Sequence, residues 1–130
     1  IKIAVGSAVY MDNPMTYEVK GRDMVTGLPR IVMVKSDDTT EALQHDLELL
    51  VNAIKEVLYR TPPELSADVM DKGIILSGGS ALLRNLDVLI ADATGVPTYV
   101  ADEPLLCVAK GTGIALENLD SYKRSILATK

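Results

Sequence analysis

The chain has 130 residues, 48% of them apolar, which is enough to bury a core and excludes an intrinsically disordered segment. Phe and Trp are absent and five Tyr are the only aromatics, so the core is aliphatic and a base-stacking nucleic-acid platform is disfavoured. Thirteen Lys and Arg against eighteen Asp and Glu leave a net charge of −5, which speaks against gripping a phosphate backbone through bulk charge.

From Ile1 to about Val9 the small and apolar residues read as the end of a helix begun upstream, which predicts a piece of a longer polypeptide. Asp12-Asn13-Pro14 breaks that helix, because Pro lacks a donor and restricts the residue before it. Thr16–Lys20 and Arg30–Lys35 are rich in β-branched residues and predict two strands, joined by a long Gly21–Pro29 connection. Ser36-Asp37-Asp38 marks a helix start, with a hydroxyl to cap and two carboxylates facing the positive end of the dipole. Leu43, Leu47, Leu50, Val51, Ile54, Val57 and Leu58 then recur at helical intervals, with His45 on the solvated side. Pro62-Pro63 ends this helix near Arg60-Thr61, and Pro63 opens a shorter one through Met70, with Thr61 as a possible cap.

Gly73–Ser77 reads as a short strand buried on both faces, and Gly78-Gly79-Ser80 as a tight turn. A helix from Ala81 through Leu86, Leu89, Ile90 and Ala93 follows and stops at Gly95. Val96–Val100 gives another strand, Asp102-Glu103-Pro104 starts a last helix to about Leu119, and the polar tail from Ser121 is expected to fray. The order predicts an α/β fold with parallel strands joined by a crossover, preceded by a small β unit.

Residues 1–35 carry five basic and three acidic side chains, and residues 36–130 carry eight and fifteen. That division fits two subregions with different surfaces and fits chance equally well. One Cys and one His exclude a disulfide framework, a CxxC pair and a Cys/His zinc cluster. Cys107, inside Leu105–Ala109, reads as a buried free thiol with no His beside it. No apolar run is long enough to span a bilayer, and Ile1–Tyr10 lacks a signal-peptide layout, so a reducing, cytosolic setting is expected.

The Gly78-Gly79-Ser80 turn is the feature with chemical potential. A strand, a glycine turn and a helix N-terminus let a flat base or sugar lie on bare backbone and offer unpaired N–H groups. Ligands of open α/β sheets gather at such strand ends. The pattern is neither GxGxxG nor GxxxxGK[ST], and its spacing alone fits a packed crossover turn as well as a ligand site. Asp37-Asp38 and Asp102-Glu103 precede helices and are explained by the dipole rather than by acid/base chemistry. No nucleophile–base pair is found, so no catalytic residue is assigned.

The longer run Ile74–Leu86 resembles the adenosine motif of the actin/hexokinase/heat-shock-chaperone ATPase superfamily. With Arg60–Asp68, Ala101–Ala109, Lys110–Glu117, Ile1–Ala8, Val19–Asp23 and Gly27–Arg30, it is similar, in order and over nearly the whole chain, to the MreB family of bacterial actins. The resemblance implies an actin-like (ribonuclease-H-like) ATPase lobe in which residues 1–35 are part of the small subdomain, 36–120 the later portion of the large subdomain, and 121–130 a tail. It implies ATP as the ligand, with Gly78, Gly79, Ser80, Ala81 and Leu82 on the adenine and ribose side and Lys2 on the opposite wall. Taken alone, Lys2 reads as an ordinary surface lysine.

Ser80 departs from the family's third glycine; its hydroxyl suits a helix cap but narrows the approach of a nucleotide. The phosphate hairpins and the magnesium site are implied to lie upstream of Ile1, so the ATPase activity belongs to the longer protein and the isolated chain is expected to be inactive. Gly111 and Gly113 read as a close-packing point of the last helix facing the absent lobe. The resemblance further implies filaments of like protomers in the cytoplasm, associated with the membrane, that direct the cell-wall elongation machinery at the inner membrane and set rod shape. It implies no nucleic-acid partner and no membrane segment in this chain. The alternatives are another superfamily member (a division actin, a chaperone ATPase domain or a sugar kinase) and a non-enzymatic α/β binding module.

Overall fold

A computed structural model of the chain describes residues 1–127, with side chains through Lys123. Its elements are α1 (Lys2–Val5), β1 (Thr16–Arg22), β2 (Pro29–Lys35), α2 (Ser36–Arg60), α3 (Pro63–Lys72), β3 (Ile74–Leu76), α4 (Leu86–Thr94), β4 (Thr98–Val100), α5 (Cys107–Glu117) and α6 (Leu119–Leu127). A 3₁₀ turn, Gly79–Leu82, lies between β3 and α4.

β1 and β2 pair antiparallel from Thr16↔Lys35 to Arg22↔Pro29, so the connection is shorter than the sequence suggests. Asp23 explains the difference. Its carboxylate accepts the N–H groups of Val25 and Thr26, each at 2.9 Å, and an Arg30 Nη1–H at 3.1 Å. The Asp23 N–H donates to the Leu28 carbonyl at 2.9 Å, and Arg22 Nε–H donates to the Gly27 carbonyl at 2.9 Å. The loop is thereby built around one carboxylate, and both strands extend to meet it.

Ser36 opens α2 as expected, yet its hydroxyl does not cap the helix. It is buried and accepts the Met15 N–H at 3.1 Å, while the Ser36 N–H donates to the Met15 carbonyl at 2.8 Å. Asp38 supplies the N-terminal bond instead, accepting the Lys35 N–H at 2.8 Å. Thr61 does not cap α3 either. Its hydroxyl donates back to the Val57 carbonyl at 2.8 Å, and α3 opens on Pro63 and runs two residues past Met70. His45 is exposed, as its position on the helix predicts.

β3 and β4 are parallel, with Ile74↔Thr98, Ile75↔Tyr99 and Leu76↔Val100 in register, and α4 provides the expected crossover. β3 is not buried on both faces: Ile75 is 61% exposed, because this sheet has two strands among the described residues and one face is uncovered. α5 begins at Cys107 rather than at Asp102, since Glu103 takes a positive φ of 48° in the preceding turn. Because α5 opens at Cys107, Asp102 and Glu103 do not sit at its N-terminus, and Glu103 pairs with Lys110 instead. Cys107 is half-buried rather than buried. Nothing lies within 4 Å of a Cβ built at Gly111 or Gly113, so neither is a close-packing point within this chain. The tail expected to fray from Ser121 continues as α6, which the helical spacing of Leu119, Tyr122 and Ile126 favours; residues 128–130 of that tail lie outside the described residues.

The core sits where residues 5–8, α2, β3 and α4 meet. Ala8, Leu86 and Ile90 form its buried centre, with Leu47, Ile54, Ile74, Leu76, Leu83 and Leu89 packed around them. The α2 stripe is wider than this core. Val51 is buried, but Leu50 and Val57 are 40% and 66% exposed. The accessible surface is 9947 Å² for 14.0 kDa, against roughly 6,700 Å² for a compact monomer of that mass.

A surface this extended, with large apolar side chains such as Met24, Val25, Val57 and Val108 exposed on it, predicts that the isolated chain self-associates. Light scattering should return masses above 14.0 kDa; a clean monomer that binds no hydrophobic dye contradicts the expectation. The Asp23 carboxyl is held below its usual value of 3.8, first by the Thr26 N–H, then by those of Val25 and Arg30. Its contribution to loop stability is therefore present above the unfolded pKa and lost as pH falls through the lowered folded one. The Val25 and Thr26 amide resonances should titrate with a midpoint below 3.8, and that transition should vanish in Asp23→Asn.

Candidate functional site

The turn that follows β3 departs from the expected geometry. Gly78 adopts φ 83°, ψ −178°, a conformation open to glycine, and donates its N–H to the Pro104 carbonyl at 2.8 Å. No atom lies within 4 Å of the position its Cβ would take, so the backbone there is bare. The helix expected from Ala81 is only the 3₁₀ turn, closed by the Leu83 N–H on the Ser80 carbonyl at 3.0 Å; the α-helix starts at Leu86. The Ser80 hydroxyl therefore caps nothing, and no long helix presents its positive end at Gly78 and Gly79.

A strap formed by α1 and Gly6–Ala8 lies against this turn. Ser7 and Arg84 form a parallel bridge, the Ala8 N–H donates to the Arg84 carbonyl at 2.8 Å, and Asn85 Nδ2 donates to the buried Ser7 hydroxyl at 3.1 Å. Arg84 Nη1 donates to the carbonyls of Ile3 at 3.1 Å and Gly6 at 3.4 Å. From the other side, the Thr39 hydroxyl lies 3.1 Å from the Val5 carbonyl and the Thr40 hydroxyl 3.1 Å from that of Ser7. Gly6 is required at the crossing, because a Cβ there would stand 2.2 Å from the Lys2 carbonyl oxygen.

The strap and the turn bring Lys2, Gly79, Ser80 and Leu82 to one cleft of about 800 Å³. Leu83 and Arg84 also line it, together with Leu43, Asp46 and Leu50 of α2. Gly78, which opens the turn, and Ala81, which is 3% exposed, do not line the cleft. Leucine side chains, the backbone of Gly79 and one ammonium group suit a planar, partly polar ligand. Among the described residues no group of three or more His, Cys, Asp and Glu could hold a metal ion, and no helix is long and apolar enough to cross a membrane.

Sequence reasoning missed Leu83, Arg84 and Asn85 as the link between strap and turn. A signal was present in Asn85, one of the few residue types that visits the left-handed region, which it does here at φ 59°.

A family model described as MreB/Mbl protein matches residues 1–124. The chain belongs to the MreB/Mbl family. It is 50% identical over 127 residues to the cell shape-determining protein Mbl of Bacillus cereus, covering 98% of this chain and 38% of that protein. It is 45% identical over 122 residues to the cell shape-determining protein MreB of Escherichia coli K12, covering 94% and 35%. Among solved structures, MreB5 of Spiroplasma citri bound to ADP superposes with a TM-score of 0.84 at 35% identity, covering 96% of this chain and 37% of that one. The AMPPNP-bound form gives 0.83 at 34% identity, covering 97% and 38%. The actin-like fold expected from the resemblance is thus the fold found, in a family of cell shape-determining proteins. The chain spans about 38% of the length of its relative from Bacillus cereus.

Asn85 supplies both a left-handed residue and a bond to Ser7. Asn85→Ala should cost about 2 kcal/mol in denaturant unfolding, and Asn85→Gly, which keeps the backbone conformation and loses only the bond, about 1 kcal/mol. Equal losses in the two variants would contradict this account.

Proposed function

We propose that the cleft between Lys2 and the Gly78-Gly79-Ser80 turn is the adenosine-side wall of an ATP site in a longer, filament-forming member of the MreB/Mbl family. One observation carries the reading: Lys2 and Gly79, Ser80 and Leu82, far apart in sequence, line one cleft, in a fold shared with an ADP-bound and an AMPPNP-bound MreB5. In this reading the backbone of Gly79 receives the flat face of the nucleoside, the positive φ of Gly78 shapes the turn that presents it, Leu82 packs on the nucleoside, and the Lys2 ammonium approaches from the opposite wall. Ala81 supports the turn from beneath, and the exposed Ser80 side chain narrows the entrance. The bound nucleotide would supply a cleavable phosphoanhydride; residues that hold its phosphates and magnesium would come from the remainder of the longer protein.

The same reading assigns residues 1–35 to a small subdomain, 36–120 to a large one and 121–130 to a tail. Filament formation finds support at the hairpin tip. Met24 and Val25 are each 95% exposed and Leu28 is 65% exposed, flanked by Lys20, Arg22 and Arg30 and complementary in charge to the acidic remainder of a second copy. Such filaments would lie in the cytoplasm at the membrane and act with the cell-wall elongation machinery in setting rod shape.

The test is titration of the full-length protein with a fluorescent ATP analogue. The wild type should bind, Lys2→Ala should bind about tenfold more weakly through loss of a charge-assisted contact, and Ser80→Gly should bind at least as tightly as the wild type. A full-length protein that binds no adenine nucleotide sinks the proposal, as does magnesium-dependent hydrolysis by the isolated 130-residue chain.

A further inference from the structure

We infer that Arg84 is a positioning residue: its guanidinium fastens the α1 strap to the glycine turn and so fixes Lys2 across the cleft from Gly79 and Ser80. The inference rests on the nucleotide reading of that cleft and assigns the determinant of its geometry. α1 has four residues, too few to hold a helical turn without outside contacts. The contacts from Thr39, Thr40 and Asn85 all reach Val5 or Ser7, on the far side of Lys2. Among the described residues, the side-chain hydrogen bond nearest Lys2 is the one from Arg84 Nη1 to the Ile3 carbonyl at 3.1 Å. The same nitrogen reaches the Gly6 carbonyl at 3.4 Å, so one cation serves two carbonyls around the end of α1, where a positive charge complements the helix dipole. The backbone of Arg84 is meanwhile locked to Ala8 and lies two residues beyond the 3₁₀ turn that carries Gly79 and Ser80. The Lys2 and the Gly79-Ser80 parts of the lining are therefore tied together through one residue.

The experiment is a double-mutant cycle on the full-length protein, with ADP as the probe, at a temperature well below every variant's unfolding midpoint. Arg84→Ala should weaken ADP binding about tenfold, and Arg84→Lys, which keeps the charge, should recover part of the loss. In a Lys2→Ala background the further loss from Arg84→Ala should shrink to less than twofold, because the residue acts through Lys2. A merely structural Arg84 would lower the unfolding midpoint without nucleotide and leave the affinity and the coupling unmoved. Unchanged affinity in Arg84→Ala overturns the inference, and so do equal losses in both backgrounds. Lack of ADP binding by the wild type, or full binding by Lys2→Ala, instead overturns the nucleotide reading and takes this inference with it.

Discussion

The pairing of Ser7 and Ala8 with Arg84 and Asn85 joins segments 78 positions apart and organises everything around it. It closes the core, since Ala8, Leu86 and Ile90 are the buried centre and Ala8 and Leu86 immediately flank the joint. It sets the start of α4, because the left-handed turn at Asn85 separates the 3₁₀ segment from the helix. It also carries Lys2 to the cleft. The polar group at the centre of the joint finds its partners: Ser7 is fully buried, donates to the Val9 carbonyl at 2.7 Å and accepts from Asn85, which is itself half-buried. A buried polar group left unpaired costs about 1–3 kcal/mol, so the joint tolerates little slippage.

Around it, the molecule is a small aliphatic core beneath a large uncovered surface. Two-stranded sheets bury little by themselves, and both sheets here have two strands among the described residues. Ile75, Tyr99 and Val100 on one sheet and Ile31, Val32 and Met33 on the other remain exposed. The hairpin compensates with local polar bonds, of which the Asp23 network is the densest, whereas β3 and β4 rely on α4 packed against them. The chain matches slightly more than a third of its relatives' length, and its surface has the character of one face of a larger assembly.

Much of the architecture was legible in local pattern. The 3.6-residue recurrence of apolar residues gives α2, the Pro62-Pro63 pair ends it, Gly95 stops α4, and β-branched runs give β1 and β2. The misses share a type. Ser36, Thr61 and Ser80 all have the chemistry of helix caps, and none caps a helix: Ser36 is taken by Met15, Thr61 by Val57, and Ser80 precedes no α-helix. Capping preference is only a tendency: a distant backbone segment outcompetes it at Ser36, the carbonyl of the preceding helical turn at Thr61, and a 3₁₀ backbone removes the helix start at Ser80. In the same way, burial of β3 on both faces was read from composition, but burial depends on what packs there.

The amino-acid sequence by itself determined the element order, the parallel crossover, the aliphatic core and the family, because periodicity, proline and glycine placement and motif order are properties of neighbouring residues. Only the tertiary structure decided that Lys2 and the glycine turn face one cleft, and that Arg84 and Asn85 hold them there. Those contacts join residues about eighty positions apart, and no local preference encodes which distant carbonyl a guanidinium will find. The pairing follows from how the strap, α2 and α4 close on the same few buried side chains.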